Sequence, residues 1–253
     1  MIPWTVPLDG TIERRLLINY RLDPDVARAL LPRPLRPQLV DGSAVAGVCL
    51  IRLGALRPAG LTARVGLRSE NAAHRIAVEW DGDGGIRTGV YIPERHSASR
   101  LPVAVGGRLF PGVHRPARFD VSDRGAQCSV RMTAADASVG ADIELTDEWS
   151  STLFPTLDDA SAFFRKDDVG WSPDRTGGAL EGVRLGTRDW SVTAGRAIHV
   201  SSSVFDALPR GAAVLDDVLV MRDVPVRWTA PRHGAPGGTR TPNRLLRTQL
   251  LFH

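Results

Sequence analysis

Glycine and proline divide this chain of 253 residues into short segments, because 25 glycines and 18 prolines are spread along its length. Turn residues at this frequency disfavour long helices and favour many short strands joined by turns. We find no internal repeat and no long linker between the segments. The sequence therefore predicts a single β-rich α+β domain over residues 1–231.

Local signals place a hairpin and two helices within this pattern. The dipeptide Asp41-Gly42 precedes the apolar run Ala44–Leu53, which predicts a tight turn into a buried strand. Asp23 followed by Pro24 is typical of a helix N-cap and first helical residue. Leu157–Lys166 carries acids at its start and bases at its end, which predicts an exposed helix aligned with its own dipole.

The net charge of +4 comes from the last segment of the chain. Residues 232–253 contain four arginines and no acid, so the remaining residues hold 28 bases and 28 acids. A neutral body with interleaved charges predicts no nucleic-acid partner. We expect residues 232–253 to be a disordered basic tail. Its sequence resembles a peptide that arises when translation runs across a transfer-RNA gene, so we expect it to be artefactual. The alternative interpretation is a flexible basic tail that contacts nucleic acid.

The two cysteines and the N-terminal segment indicate a cytoplasmic protein. Cys49 and Cys128 lie in apolar, strand-like contexts without a metal-ligand spacing, which predicts buried free thiols in a reducing compartment. The first residues lack a basic and then apolar leader pattern, and no apolar run is long enough to span a bilayer. We therefore expect no membrane partner.

The stretch Ala104–Ala117 concentrates glycine, turn residues and charged side chains in a short segment. Gly106-Gly107 permits a bend or a close approach, and Pro111-Gly112 indicates a turn. Arg108, His114 and Arg115 are therefore presented from a bend. The two interpretations are a surface turn with solvated arginines and the wall of a cavity.

A resemblance to a known family favours the cavity. Tyr20-Arg21-Leu22-Asp23, followed by Pro32 and Pro34-Leu35, resembles the opening of the acetoacetate decarboxylase superfamily. Ser69-Glu70 falls where those enzymes place an active-site glutamate, and Gly107-Arg108 matches the pair that precedes their catalytic lysine motif. Later segments (VGWSP, LGTRDWSV and VLVMRDVPVRW) are similar to uncharacterised bacterial relatives with a domain of unknown function.

The resemblance implies an antiparallel, cone-like β-barrel with a few short flanking helices and an internal ligand cavity. The family's first-strand arginine aligns with Glu13, and strand alternation means that Arg15 points to the same side as position 13.

The chemistry of the decarboxylases does not carry over. They use a lysine amine that condenses with the ketone, and the matching positions here are His114, Arg115 and Pro116. Arginine stays protonated and is a poor nucleophile. The single lysine, Lys166, lies in a charged run that is typical of a solvated helix end. We therefore expect no Schiff-base decarboxylase.

Metal and nucleophile motifs are weak. The histidines have no HxxxH or HxH spacing, so we expect no metal. A metal would be sought at His96 and His114, with Glu70 or Glu94. No GxSxG or phosphate-loop pattern occurs, and we expect no cofactor.

The hypothesis that remains is a cavity for a small anionic or carbonyl-bearing molecule. We expect Arg15, Arg108, Arg115 and His96 to bind it, and Glu70 and His114 to move protons if a reaction follows. Three alternatives stay open: Glu70 and an arginine satisfying each other, a non-catalytic protein with a filled barrel, and an oligomer.

Overall fold

The structure is a computed structural model that describes residues 7–62, 66–82, 84–99, 111–174, 176–232 and 235–237. The described residues form three short helices among the strands: α1 (Pro24–Leu30), α2 (Leu157–Lys166) and α3 (Ser203–Asp206). The strands are β1 (Leu8–Leu22), β2 (Arg36–Pro37), β3 (Leu39–Val40), β4 (Ser43–Pro58), β5 (Leu67–Gly82), β6 (Gly85–Tyr91), β7 (Arg95–Ser97), β8 (His114–Pro116), β9 (Arg118–Arg124), β10 (Gln127–Thr133), β11 (Ser138–Thr146), β12 (Val169–Pro173), β13 (Leu180–Gly186), β14 (Thr193–Ser202) and β15 (Ala213–Thr229).

All fifteen described strands belong to one sheet, and the first and last long strands pair with each other. The main path runs β1-β4-β5-β6-β12-β13-β15-β14-β11-β10-β9. Antiparallel pairing of β1 with β15 joins two strands that are far apart along this path. The pairings therefore form a closed circuit from β1 through β4, β5, β6, β12, β13 and β15 back to β1.

The sheet is mixed, because most of its described strand pairs are antiparallel, as expected, but two are parallel. Gly170 and Trp171 of β12 pair in parallel with Val90 and Tyr91 of β6. Strands β7 and β8 are also parallel. A long connection separates β6 from β12 along the chain, and such a connection allows a strand to return in the same direction.

The two faces of β1, β4 and β5 pack against different parts of the molecule. One face carries Leu16, Val48 and Ile76 into a core shared with β10 and β11. The other face carries Leu17 and Cys49 toward α2 and the segment before it. Because both faces are covered, neighbouring residues on a strand enter different environments.

The predicted turn and helices are confirmed. Asp41 and Gly42 both have positive φ, as a type I′ turn requires, and β3 and β4 pair across them. The Asp23 side chain caps α1 by accepting from the amides of Asp25 and Val26. Helix α2 has the predicted bounds, but it is not wholly exposed, because Ala160 and Phe164 are buried against the sheet. No helix in the described ranges is long and apolar enough to cross a membrane.

Candidate functional site

A cavity of about 340 Å³ lies on the face of the sheet that α2 covers. Its wall includes residues of β1, β4, β5, β7, β8 and β12, together with the end of α2 and parts of β13 and β15. This volume is within the range of sites for small organic ligands. Its walls are largely apolar, with a few charged side chains among them.

Strand alternation aims a set of polar side chains into this cavity. Arg15, Cys49 and Arg75 come from β1, β4 and β5, and Arg95 and His114 come from the neighbouring short strands β7 and β8. Arg95 and His114 are register partners in the parallel β7–β8 pair. Successive residues of a strand point to opposite faces, so these five residues share one face.

Of the four cavity arginines that lie on strands, three form no ion pair with a carboxylate of the described residues. Arg15 donates from Nε to Cys49 Sγ at 3.3 Å. Arg95 donates from Nη2 to Ser172 Oγ and from Nε to the Pro111 carbonyl, both at 3.2 Å. Arg184, which also lines the cavity, differs in forming an ion pair with Asp168 at 2.6 Å. The other three leave positive charge available at the cavity wall.

Arg75 is the most enclosed of these arginines, with 3% of its surface exposed. One Nη donates to Asn19, which in turn donates to Asp217, and the guanidinium lies 4.6 Å from the Phe164 ring centre. Its Nε and Nη1 have no hydrogen-bond partner among the described residues. Burial lowers the pKa of Arg75 to about 10, so the side chain remains a cation at neutral pH.

Asp167 brings a carboxyl group to the same cavity. Gln38 Nε2 donates to its Oδ2 at 2.6 Å, whereas Oδ1 has no hydrogen-bond partner within the described ranges. Burial raises the pKa of Asp167 to about 6. A carboxyl group that titrates near neutral pH beside a cavity can exchange a proton with a ligand.

Glu70 lies on the opposite side of β5 from the cavity-lining Ser69 and Asn71. Its carboxylate contacts Arg14 Nη2 at 2.6 Å and Arg52 Nε. Arg14 is 1% exposed and also lies 3.6 Å from Asp123. Glu70 is thus held by arginines away from His114, as the alternative interpretation allows, and a catalytic role for it stays a prediction.

His96 and Arg115 also point away from the cavity. His96 Nε2 lies 3.1 Å from Asp136 Oδ1, and Arg115 Nε lies 2.7 Å from Glu94 and 3.0 Å from Asp136. Donor atoms of Glu94, His96 and Asp136 lie within 4.8 Å of one another, a spacing that could hold a metal. The Arg115 guanidinium forms ion pairs with the carboxylates of Glu94 and Asp136, and its positive charge partly balances their negative charge.

Of the predicted site residues, the structure places Arg15 and His114 on the cavity wall. Arg108 and Gly106-Gly107 lie outside the described residues. Sequence reasoning did not select Arg75, Arg95 or Asp167. A signal for Arg75 exists, because it is a charged residue inside the strand-like run Ala72–Val78. Lys166 sits at the exposed end of α2, with Nζ 4.9 Å from the Phe163 ring centre.

Solved structures share this architecture. Acetoacetate decarboxylase from Legionella pneumophila subsp. pneumophila str. Philadelphia 1 matches with a TM-score of 0.58 and 14% identity, over 95% of this chain and 89% of that one. An acetoacetate decarboxylase-like enzyme from Sphingomonas wittichii RW1 matches with a TM-score of 0.54 and 19% identity, over 95% and 94%. The enduracididine biosynthesis enzyme MppR, complexed with pyruvate, matches with a TM-score of 0.56 and 16% identity, over 90% and 89%.

These likenesses establish the fold class, which is that of the acetoacetate decarboxylase-like proteins. A family model described as "Uncharacterized conserved protein", DUF2071, matches residues 10–208, and the chain belongs to that family. No curated protein matches the chain.

Proposed function

We propose that the chain binds a small 2-oxo acid, or a similar carboxylate with a carbonyl group, in the cavity next to Arg15 and Arg75. The observation that carries this proposal is the presence of Arg15, Arg75 and Arg95 on one cavity wall without an ion-paired carboxylate among the described residues.

Charge balance supports an anionic ligand. A buried cation without a hydrogen-bonded counter-ion is costly, and the Nε and Nη1 of Arg75 have no protein acceptor in the described ranges. A carboxylate accepts from a guanidinium through two oxygens, and such charge-assisted bonds are short and strong. A bound carboxylate would therefore use donors that the protein alone leaves unsatisfied.

The volume of the cavity and the structural similarity to MppR favour a small 2-oxo acid as the ligand. A cavity of about 340 Å³ suits a small organic acid. MppR, which has the same fold, has been crystallised with pyruvate. Pyruvate combines a carboxylate with an adjacent ketone, and both groups accept hydrogen bonds from arginine.

The proposed chemistry does not use a lysine imine. His114 lies on the cavity wall at a position that matches the family's lysine motif, and an imidazole cannot form the iminium that accepts electrons during decarboxylation. His114 and Asp167 are instead the groups placed to exchange protons with a bound ligand. A lysine-independent lyase, hydrolase or isomerase reaction is consistent with this pair, and so is binding alone.

Calorimetric titration of the full chain with pyruvate tests the proposal. We expect binding to wild type and a loss of at least about tenfold in affinity for Arg15→Met, because a hydrogen bond to a charged group contributes about 1.5–3 kcal/mol. The control is Arg131→Met, since Arg131 is an exposed arginine paired with Asp142. Methyl pyruvate, which lacks the carboxylate charge, should bind weakly to all three proteins. Undetectable pyruvate binding, or equal affinity in wild type and Arg15→Met, would contradict the proposal.

A further inference from the structure

Cys49 places a nucleophilic sulfur on the wall of the anion cavity. It lies within β4, directly opposite Leu17 of β1 and Ala73 of β5, and 8% of its surface is exposed. The same alternation that aims Arg15 and Arg75 into the cavity aims Cys49 there. Cys128, the second cysteine, packs in the core on the other face of the sheet.

Three arginines lie close enough to the sulfur to interact with it. Arg15 Nε donates to Cys49 Sγ at 3.3 Å. Arg75 and Arg95 each interact electrostatically with Cys49, which partly offsets the lowering of their pKa values by burial. Cysteines next to several cations in a cavity are the ones that react as nucleophiles, whereas cysteines packed in an apolar core are inert.

A second observation points to a ligand at the same place. Arg75 is 97% buried and lines the cavity, and its Nε and Nη1 have no hydrogen-bond partner in the part of the chain that the structure describes. A carboxylate on these donors would bring its adjacent carbonyl carbon into the cavity that Cys49 lines. The sulfur and the electrophilic carbon would then share one enclosed space.

We propose that Cys49 adds reversibly to the carbonyl carbon of a bound 2-oxo acid and forms a thiohemiketal. A bond forms between sulfur and carbon, the π bond of the carbonyl breaks, and its electron pair moves to oxygen. That oxygen gains the proton that the thiol loses, so atoms and charge balance without an oxidant or cofactor. The cysteine thereby supplies the covalent attachment that a lysine amine supplies in the decarboxylases.

Nuclear magnetic resonance of the full chain with pyruvate labelled with ¹³C at carbon 2 tests this step. The expected result is a bound-state resonance in the region of tetrahedral carbon, for wild type and for the matched control Cys128→Ala. Cys49→Ala should lose this resonance and bind pyruvate more weakly than wild type, through the arginines alone. A bound carbonyl resonance in wild type, or a tetrahedral resonance that persists in Cys49→Ala, would overturn the inference.

This inference rests on the proposed function, and the two fail differently. Binding without a tetrahedral resonance removes Cys49 as a nucleophile and leaves the anion cavity intact. Absence of binding to wild type removes the proposed function itself.

Alkylation of the wild-type protein gives a second test that does not depend on a variant folding. Iodoacetate is anionic and iodoacetamide is neutral, so cavity arginines should favour the first at Cys49. We expect the ratio of iodoacetate to iodoacetamide rates at Cys49 to exceed that of glutathione in the same solution by about tenfold, with protection by pyruvate. A ratio equal to that of glutathione, measured by mass spectrometry of the Cys49 peptide, would contradict the charged nucleophile site.

Discussion

Arg14 and Arg15 are neighbours on β1, but their positive charges are in different environments. Arg14 is 1% exposed and pairs with Glu70, so its charge is balanced by the protein. Arg15, the next residue, points to the other face and bonds only to sulfur atoms among the described side chains. The first arginine connects β1 to β5, and the second leaves a cation facing the cavity.

Buried His74 provides a test of the electrostatics at the scale of a single residue. Its Nε2 lies 2.9 Å from Ser202 Oγ, and its ring packs edge-on against Phe205. Burial, with repulsion from His96, lowers the pKa of His74 to about 4, while Asp136 acts in the opposite direction. The folded state therefore disfavours the protonated imidazole.

We predict that His74 makes folding less stable as pH falls from about 6.5 towards about 4, because the unfolded chain binds the proton first. His74→Gln cannot bind that proton. The stability advantage of wild type over the variant should therefore narrow across this window by at most about 3 kcal/mol. Urea unfolding of both proteins at several pH values measures the difference. A difference that stays constant from pH 7 to pH 4 would contradict the prediction.

Helix α2 connects local sequence to the shape of the cavity. Thr156 caps it, because its hydroxyl accepts from the Asp159 amide at 3.1 Å. The last turn carries Phe164, which contacts the Arg75 guanidinium, and Asp167 follows directly after the helix. The helix thus has a capped first turn at one end and residues of the cavity wall at the other.

Removal of this cap should destabilise the protein measurably. We expect Thr156→Ala to lower the free energy of unfolding by about 1 kcal/mol, as for other N-caps. Thr156→Ser keeps a hydroxyl at the same place and should stay close to wild type. Denaturant unfolding of the three proteins measures this, and equal losses in both variants would show that the hydroxyl does not cap the helix.

The sequence predicts the structural elements that are determined by residues close together in the chain. The Asp41-Gly42 turn and the Asp23 cap depend on neighbouring residues, and both are found where they were expected. The parallel pairing of β6 with β12 depends on contacts between residues about 80 positions apart, which no local pattern encodes. It was therefore missed.

The sequence predicts only part of the candidate site, because the rest depends on packing between elements that are far apart in the chain. Alternation shows that Glu70 and Asn71 face opposite sides of β5, but both sides of this sheet are covered. Which side holds the cavity depends on where α2 packs. Glu70 lies on the face opposite the cavity, whereas Arg15 and His114 lie on the face that has one.

At the scale of the whole molecule, the chain combines the fold of the acetoacetate decarboxylase-like proteins with a sequence that contains one lysine. The acetoacetate decarboxylase-like architecture and a cavity of about 340 Å³ are present. The chain's single lysine sits at an exposed helix end. Arginines, a histidine, two aspartates and a cysteine line the cavity. We infer that anion binding is the property common to the proposed functions of this chain.

A crystal structure of the full chain soaked in pyruvate is the direct test of anion binding in the cavity. We expect a pyruvate carboxylate within hydrogen-bond distance of Arg15 and Arg75, with its carbonyl carbon near Cys49 and no bond to Lys166. An imine on Lys166, or an empty cavity in crystals at saturating pyruvate, would contradict it.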